Sequence, residues 1–195
     1  MDLLSGLRSE VIRPALILMI PGLVVGTPAL FLLEHYQSSV FSFAESHPTL
    51  AAFLGVIASA IFGVLTYEVG TNIESSWIDK RLQKKDPQFE SEWFKYLRCA
   101  FPERSVAENY IHDRVLYLKF ELGMASALPL CLAISTWAWL VRDDFDCSWF
   151  ISLASCLVAV TIYFLFEANQ TASGLARVRK ELLKGVGCPP KCGES

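Results

Sequence analysis

Residues 122–141 read LGMASALPLCLAISTWAWLV, and this stretch contains no charged side chain. A helix of about 20 apolar residues is long enough to span the hydrocarbon core of a bilayer. A second apolar run, WFISLASCLVAVTIYFLF at 149–166, follows after a short polar loop. Together the two runs predict a hairpin of membrane-spanning helices.

Two further apolar runs, at 15–33 and 50–67, predict a second hairpin nearer the N-terminus. None of the four runs has the polar face that a helix on the surface of a soluble core normally shows to water. The predicted fold class is therefore all-α: a polytopic membrane protein with four transmembrane helices and a small cytoplasmic helical layer. We expect a cytoplasmic N-terminus at 1–14, the first hairpin at 15–67, a cytoplasmic helical segment at 68–121, the second hairpin at 122–167, and a cytoplasmic helix and tail at 168–195.

The distribution of basic residues predicts the orientation. Of the 17 Lys and Arg residues, all except Arg142 fall within 1–14, 68–121 and 168–195. Basic residues close to span ends are retained on the cytoplasmic side. Both termini and the middle segment are thus predicted to be cytoplasmic, and the two short loops face outward.

The first apolar run contains prolines at seven-residue intervals: Pro14, Pro21 and Pro28, with Gly22 and Gly26 between them. An interior proline removes a backbone hydrogen bond. The prolines therefore predict a kinked or broken span, which lines a cavity or acts as a gate. Alternatively, prolines are simply frequent in membrane helices, and Pro14 marks the helix start. Both interpretations stay open, with Pro21, Gly22, Gly26 and Pro28 as gating candidates.

The second run carries small residues at every fourth position, which places them on one stripe of a helix: Ala51, Gly55, Ser59 and Gly63. Small residues at this spacing let two helix backbones approach closely. We expect the stripe to be a helix-packing surface, either against the first span or against another copy of the protein.

An aromatic residue followed by a glutamate recurs at the predicted inner end of spans two, three and four, and asparagines lie nearby. The candidates for ion or pore contacts are Glu68, Asn72, Glu121, Glu167 and Asn169. Acidic residues at this depth are expected to face the bundle interior or an aqueous vestibule. They could instead be ordinary residues at a helix boundary, or pair with Lys119 and Arg114.

The middle segment contains a candidate docking face. Asp86 before Pro87 predicts a helix start, and Phe89, Trp93 and Leu97 then share one side of that helix. This face either binds a cytoplasmic partner protein or packs on neighbouring helices. Motifs for catalysis and phosphate binding are missing from the sequence, so we expect no enzymatic activity, no cofactor, no metal ligands and no direct nucleic-acid binding.

The order of spans and loops resembles, in layout, the small four-span subunits of bacterial phage-defence systems such as the Kiwa membrane component. The resemblance implies a bacterial inner-membrane location and a role in antiviral defence. The predicted function is an oligomeric channel-like or membrane-sensing effector subunit in contact with lipid. The alternatives are a membrane anchor that recruits a cytoplasmic partner and, less favoured, a metal-dependent membrane enzyme using the inner carboxylates.

Overall fold

The structure, a computed structural model, describes residues 3–89, 91, 104–141 and 147–185. These residues form helices and short connections without any strand, so the predicted all-α fold is confirmed. The elements are α1 (Leu3–Tyr36), α2 (Ser38–Ser46), α3 (Pro48–Ile73), a π-helical turn (Glu74–Ile78), α4 (Asp79–Lys85), α5 (Arg104–Val141) and α6 (Cys147–Gly185).

Four helical stretches are long and apolar enough to cross a membrane, as the sequence predicts: Ala15–Tyr36, Pro48–Lys85, Tyr110–Val141 and Cys147–Leu183. The second of them has 38 residues, which at about 1.5 Å per residue is far longer than a hydrocarbon core of about 30 Å. The second, third and fourth stretches project beyond their apolar runs at the same end of the bundle. We call this end, residues 68–89, 104–121 and 167–185, the charged end.

The first helix differs from the expectation drawn from its prolines. α1 is helical throughout Leu3–Tyr36. Of the kinked or broken span that the prolines predict, the break is therefore wrong and the kink stays a prediction, and Pro14 does not mark the helix start. Pro21 is buried, and its ring lies against Gly123 of α5, where an added Cβ would be 3.3 Å from the Pro21 Cγ. Neighbouring helices hold α1 in place at this point. Packing of this kind lets membrane helices tolerate the loss of the one backbone hydrogen bond that each proline removes.

α1 and α3 cross at very close range. A Cβ added to Gly22 would overlap the Ser59 carbonyl oxygen, and one added to Gly63 would overlap the Leu18 carbonyl oxygen. The Ser59 hydroxyl also donates a hydrogen bond to the Met19 carbonyl oxygen at 2.9 Å. The inner half of the small-residue stripe therefore packs within the chain.

The outer half of that stripe does not take part in the crossing. Gly55 has no atom within 4 Å of an added Cβ, and Ala51 is only half-buried. The packed face continues in the other direction instead, where Thr66 is buried and its carbonyl oxygen accepts a 2.7 Å hydrogen bond from the Ser126 hydroxyl of α5. The stripe expected over Ala51 and Gly55 is thus displaced toward the charged end.

The principal apolar core also lies toward the charged end. It joins the π-helical turn, α5 and α6 through Ile78, Ile111, Leu118, Leu122, Ala168, Ala172 and Leu175. Residues 121–128 of α5 are all buried, because α1, α3 and α6 all surround this part of the helix. α5 is therefore the central helix of the bundle.

Candidate functional site

Glu121 is the most enclosed carboxyl group among the described residues, with 8% of its surface exposed. It lies on α5 where the apolar run begins, and it faces α6. Its Oε1 accepts a hydrogen bond from the Thr171 hydroxyl at 3.2 Å. Its Oε2 is buried, and no residue that the structure describes hydrogen-bonds to it.

Glu167 lies beside this position on α6. It is half-buried and stands one helical turn before Thr171, so the two side chains share a helix face. Its negative charge acts directly on Glu121. The structure therefore brings together two of the three glutamates that the sequence singled out.

Glu68 does not join them within the chain, so it does not face the bundle interior. The other expectation, an aqueous vestibule, stays a prediction. Glu68 and Asn72 are both exposed. The packed face of α3 is formed by Gly63, Thr66 and Gly70, and Glu68 lies two residues from Gly70, about 200° around the helix. The rotation of α3 therefore turns Glu68 away from the other helices of the chain.

Both candidate asparagines accept a hydrogen bond through the backbone carbonyl oxygen. The Asn72 carbonyl oxygen accepts a hydrogen bond from the Ser75 hydroxyl at 3.2 Å, and the Asn169 carbonyl oxygen accepts one from the Ser173 hydroxyl at 2.7 Å. Asn169 is half-buried on α6 and Asn72 is exposed on α3. Of the five candidate ion contacts, the structure thus brings together Glu121 and Glu167.

The basic residues considered as partners for the glutamates have other contacts. Lys119 Nζ lies 2.6 Å from Glu74 Oε2 in the π-helical turn and 5.3 Å from the centre of the Tyr67 ring. Arg114 donates from Nε to the Tyr110 hydroxyl at 3.2 Å. Sequence reasoning missed Glu74, whose contact with Lys119 depends on how α3 and α5 are rotated against each other.

A cavity of about 460 Å³ opens between α4, α5 and α6 at the charged end. Charged groups from the π-helical turn, α4, α5 and α6 line it: Glu74, Asp79, Lys119 and Arg179. Arg179 is buried, and its guanidinium lies 4.7 Å from the centre of the Phe89 ring. The cavity therefore combines both signs of charge with an aromatic face, a composition that the sequence did not reveal because its members lie far apart along the chain.

Phe89 was predicted to belong to an external docking face, and the structure places it against Arg179 at the cavity wall instead. Its ring is half-buried. The other two docking candidates, Trp93 and Leu97, lie outside the described residues. Phe89 thus contacts the neighbouring helix α6, and the choice between partner docking and helix packing for the whole face stays a prediction.

Asp86 links the end of α4 to α6. One carboxylate oxygen accepts a hydrogen bond from the Gln88 backbone N–H at 3.1 Å, which is the capping geometry predicted from Asp86 and Pro87. The other oxygen lies 2.7 Å from Lys180 Nζ. The Lys180 hydrogen bond, followed by that of Gln88, lowers the pKa of Asp86 below its ordinary value of 3.8.

The proline and glycine candidates of α1 divide between two environments. Pro21 and Gly22 are buried at the crossings with α5 and α3, and Gly26 is half-buried. Pro28 lines an apolar groove of about 500 Å³ between α1, α5 and α6, at the end opposite the charged end. There the rings of Trp139 and Phe150 stack with their centres 5.1 Å apart.

The described part of the chain contains no group of three or more His, Cys, Asp or Glu side chains that could hold a metal ion. Comparison with known proteins found no matching family model, curated protein or solved structure. Function must therefore be inferred from the geometry of this chain.

Proposed function

We propose that the protein is an oligomeric integral membrane protein of a bacterial inner membrane that acts as a channel-like or membrane-sensing effector subunit. In this proposal the charged end is cytoplasmic, an orientation supported by the concentration of Lys and Arg in 68–121 and 168–195. The spans contact lipid and further copies of the chain.

The observation that supports this proposal is the continuity of the helices. Residues 48–85 form one helical rod through the π-helical turn, and α5 and α6 likewise continue from their apolar runs into the charged end. A helix that continues across the membrane boundary can transmit a displacement along its length. Binding at the charged end would therefore move the spans themselves.

The cavity between α4, α5 and α6 is the proposed ligand-binding site. Its volume of about 460 Å³ lies within the range of about 300–1,000 Å³ that is usual for small-molecule sites. The Lys119–Glu74 ion pair joins α5 to the rod formed by α3 and α4 at its rim. A ligand that separates this pair would free two spans to move relative to each other.

Ion flux in liposomes containing the purified protein tests the channel-like function. Glu167→Gln is the informative variant because Glu167 is half-buried inside the bundle, and Glu68→Gln is its matched control on an exposed face. We expect flux in the wild type, with altered ion selectivity in Glu167→Gln and unchanged selectivity in Glu68→Gln. A wild-type protein that conducts no ions, with or without cytoplasmic extract, would contradict a channel-like function.

The alternative function, an anchor for a cytoplasmic partner, is favoured by one feature of α4. Its four basic residues are all exposed: Lys80, Arg81, Lys84 and Lys85. Such a cluster attracts anionic lipid or an acidic protein surface, at about 1 kcal/mol per basic residue near an anionic membrane. An anchor would show no flux, and replacing all four residues by Ala would release its co-purified partner.

A further inference from the structure

We infer that Glu121 is a proton-binding site: its carboxyl group carries a proton while α5 and α6 are packed together, and loss of that proton loosens their contact. This inference rests on the packing of the described helices. It stands whether or not the protein conducts ions.

The hydrogen bonds of Glu121 fit a neutral acid better than a carboxylate. An ionised carboxylate presents two oxygens that both need donors. Only the Thr171 hydroxyl donates to Oε1, and no described group donates to Oε2. Burying a charge that is neither paired nor fully hydrogen-bonded is far more unfavourable than burying the protonated form.

The immediate surroundings of Glu121 are apolar and tightly packed. Leu118 and Leu122 on α5 are 4% and 1% exposed, and Ala168 on α6 is fully buried. Water and counter-ions that would stabilise a negative charge are therefore excluded from most directions. The low polarity of the site also strengthens the repulsion from any neighbouring negative charge.

The charged neighbours on α5 and α6 do not offset this burial. Glu167 of α6 is half-buried and adds like-charge repulsion. Arg114 of α5 acts favourably on Glu121, but it is exposed and engaged with Tyr110. Lys119, two residues away on α5, is paired with Glu74.

Among the side chains that the structure describes, the remaining helices packed at this level bring no compensating charge. On α3, Glu68 is exposed and on another face. On α1, the described side chains from 15 to 36 include titratable groups only at Glu34, His35 and Tyr36, which lie at the end opposite the charged end. Protonation of the Glu121 carboxylate is therefore the simplest way to neutralise its charge in this site.

Release of the proton would place a negative charge beside Glu167 in the interface of α5 and α6. Both helices continue into the charged end, where Ala172 and Leu175 pack against α5. Like-charge repulsion at Glu121 would act on the same interface. Protonation thereby couples local pH to the packing of two spans.

Infrared spectroscopy of the full-length protein in liposomes tests the inference directly. The absorption band of a protonated carboxylic acid should be present near neutral pH in the wild type and in Glu68→Gln, and lost in Glu121→Gln. Raising the pH should remove the same band from the wild type. A spectrum unchanged by Glu121→Gln would overturn the proposal.

A second measurement on the wild type covers the case in which Glu121→Gln does not fold. Dicyclohexylcarbodiimide is an apolar reagent that adds to protonated carboxyl groups, and peptide mass spectrometry locates the adduct. We expect Glu121 to be modified in preference to the exposed Glu68, with modification decreasing as pH rises. Modification of Glu68 without Glu121 would count against a protonated Glu121.

Discussion

The two halves of α6 are packed very differently. Between Cys147 and Phe166, a stretch described in full, no residue is buried. Beyond it, Ala168, Thr171, Ala172, Leu175 and Arg179 are all buried at helical spacing against the rest of the bundle. The apolar half of the helix is thus the less packed half.

The reason lies in the solvent that each half meets. In lipid, packing two apolar helices together brings no hydrophobic gain, because the acyl chains are as apolar as the side chains. Beyond the spans, apolar side chains meet water and are driven to pack against one another. The protein therefore concentrates its core at the charged end, where Glu121 and the charged cavity also lie.

The largest expected effect comes from truncating a buried leucine in the packed half of α6. Leu175 is 8% exposed, whereas Leu153 in the span half is 38% exposed. Leu175→Ala should lower the free energy of unfolding by about 2–5 kcal/mol through lost contacts and a residual cavity. Thermal unfolding in detergent measures the effect.

Leu153→Ala is the matched control for that variant, since it removes the same atoms from a more exposed side chain, which lines the open apolar groove. We expect its melting temperature to stay close to that of the wild type. Equal destabilisation by the two variants would show that the span half of α6 is packed in the assembled protein, and the contrast between the halves would not hold.

The next effect concerns the crossing of α1 and α3. Gly63→Ala adds a Cβ that overlaps the Leu18 backbone, so the helices must separate, at about 1–3 kcal/mol of stability for overpacking. Gly55→Ala adds the same atom where nothing lies within 4 Å. The melting temperature should fall in the first variant and stay level or rise slightly in the second. A reversed order would place the packed stripe at the outer end of α3.

A smaller effect is expected at the ion pair between α5 and the π-helical turn. Lys119 and Glu74 side chains are 19% and 21% exposed, so solvent screens their attraction only in part. We expect a coupling free energy of about 1 kcal/mol, between the values for exposed and buried pairs. A double-mutant cycle with Lys119→Met and Glu74→Gln, with unfolding as the readout, measures this coupling free energy. A coupling of zero would mean that the ion pair does not stabilise the contact between the two elements.

The smallest effect is a pH dependence at Asp86. Lys180 lowers the pKa of Asp86 in the folded protein below its ordinary value of 3.8. The contribution of ionised Asp86 to stability is therefore present above that ordinary pKa, and it disappears as the pH falls through the lower pKa of the folded state. Wild type should therefore be slightly more stable than Asp86→Asn near neutral pH, and the difference should vanish in acid. Melting temperatures at the two pH values test this, and a difference that grows in acid would contradict the assigned contact.

The candidate site was only partly predictable, and Glu68 shows why. An aromatic residue followed by a glutamate marks the end of an apolar run, which is a local property of the sequence. Whether the glutamate faces inward depends on which stripe of the helix packs. In α3 that stripe runs on through Thr66 and Gly70, and neither of these residues continues the four-residue spacing that the sequence shows up to Gly63.

Other contacts had no local signal. Glu74 meets Lys119 across 45 positions of sequence, and Arg179 meets Phe89 across an even longer interval. The π-helical turn, which changes the helical register just at Glu74, is likewise not marked by any single residue type. These contacts arise only when three separate helices are packed side by side.

The sequence by itself determined the number of spans, their approximate ends and the helical class, because the transfer of an apolar run into lipid is a sum over neighbouring residues. It also identified the glutamates as residues of interest. The tertiary structure decided that α1 stays helical through its prolines, that α6 packs mainly beyond its span, and that Glu121 is enclosed while Glu68 is not. Those outcomes depend on helix rotation and close approach, which are set by side chains distant in sequence and adjacent only in the folded bundle.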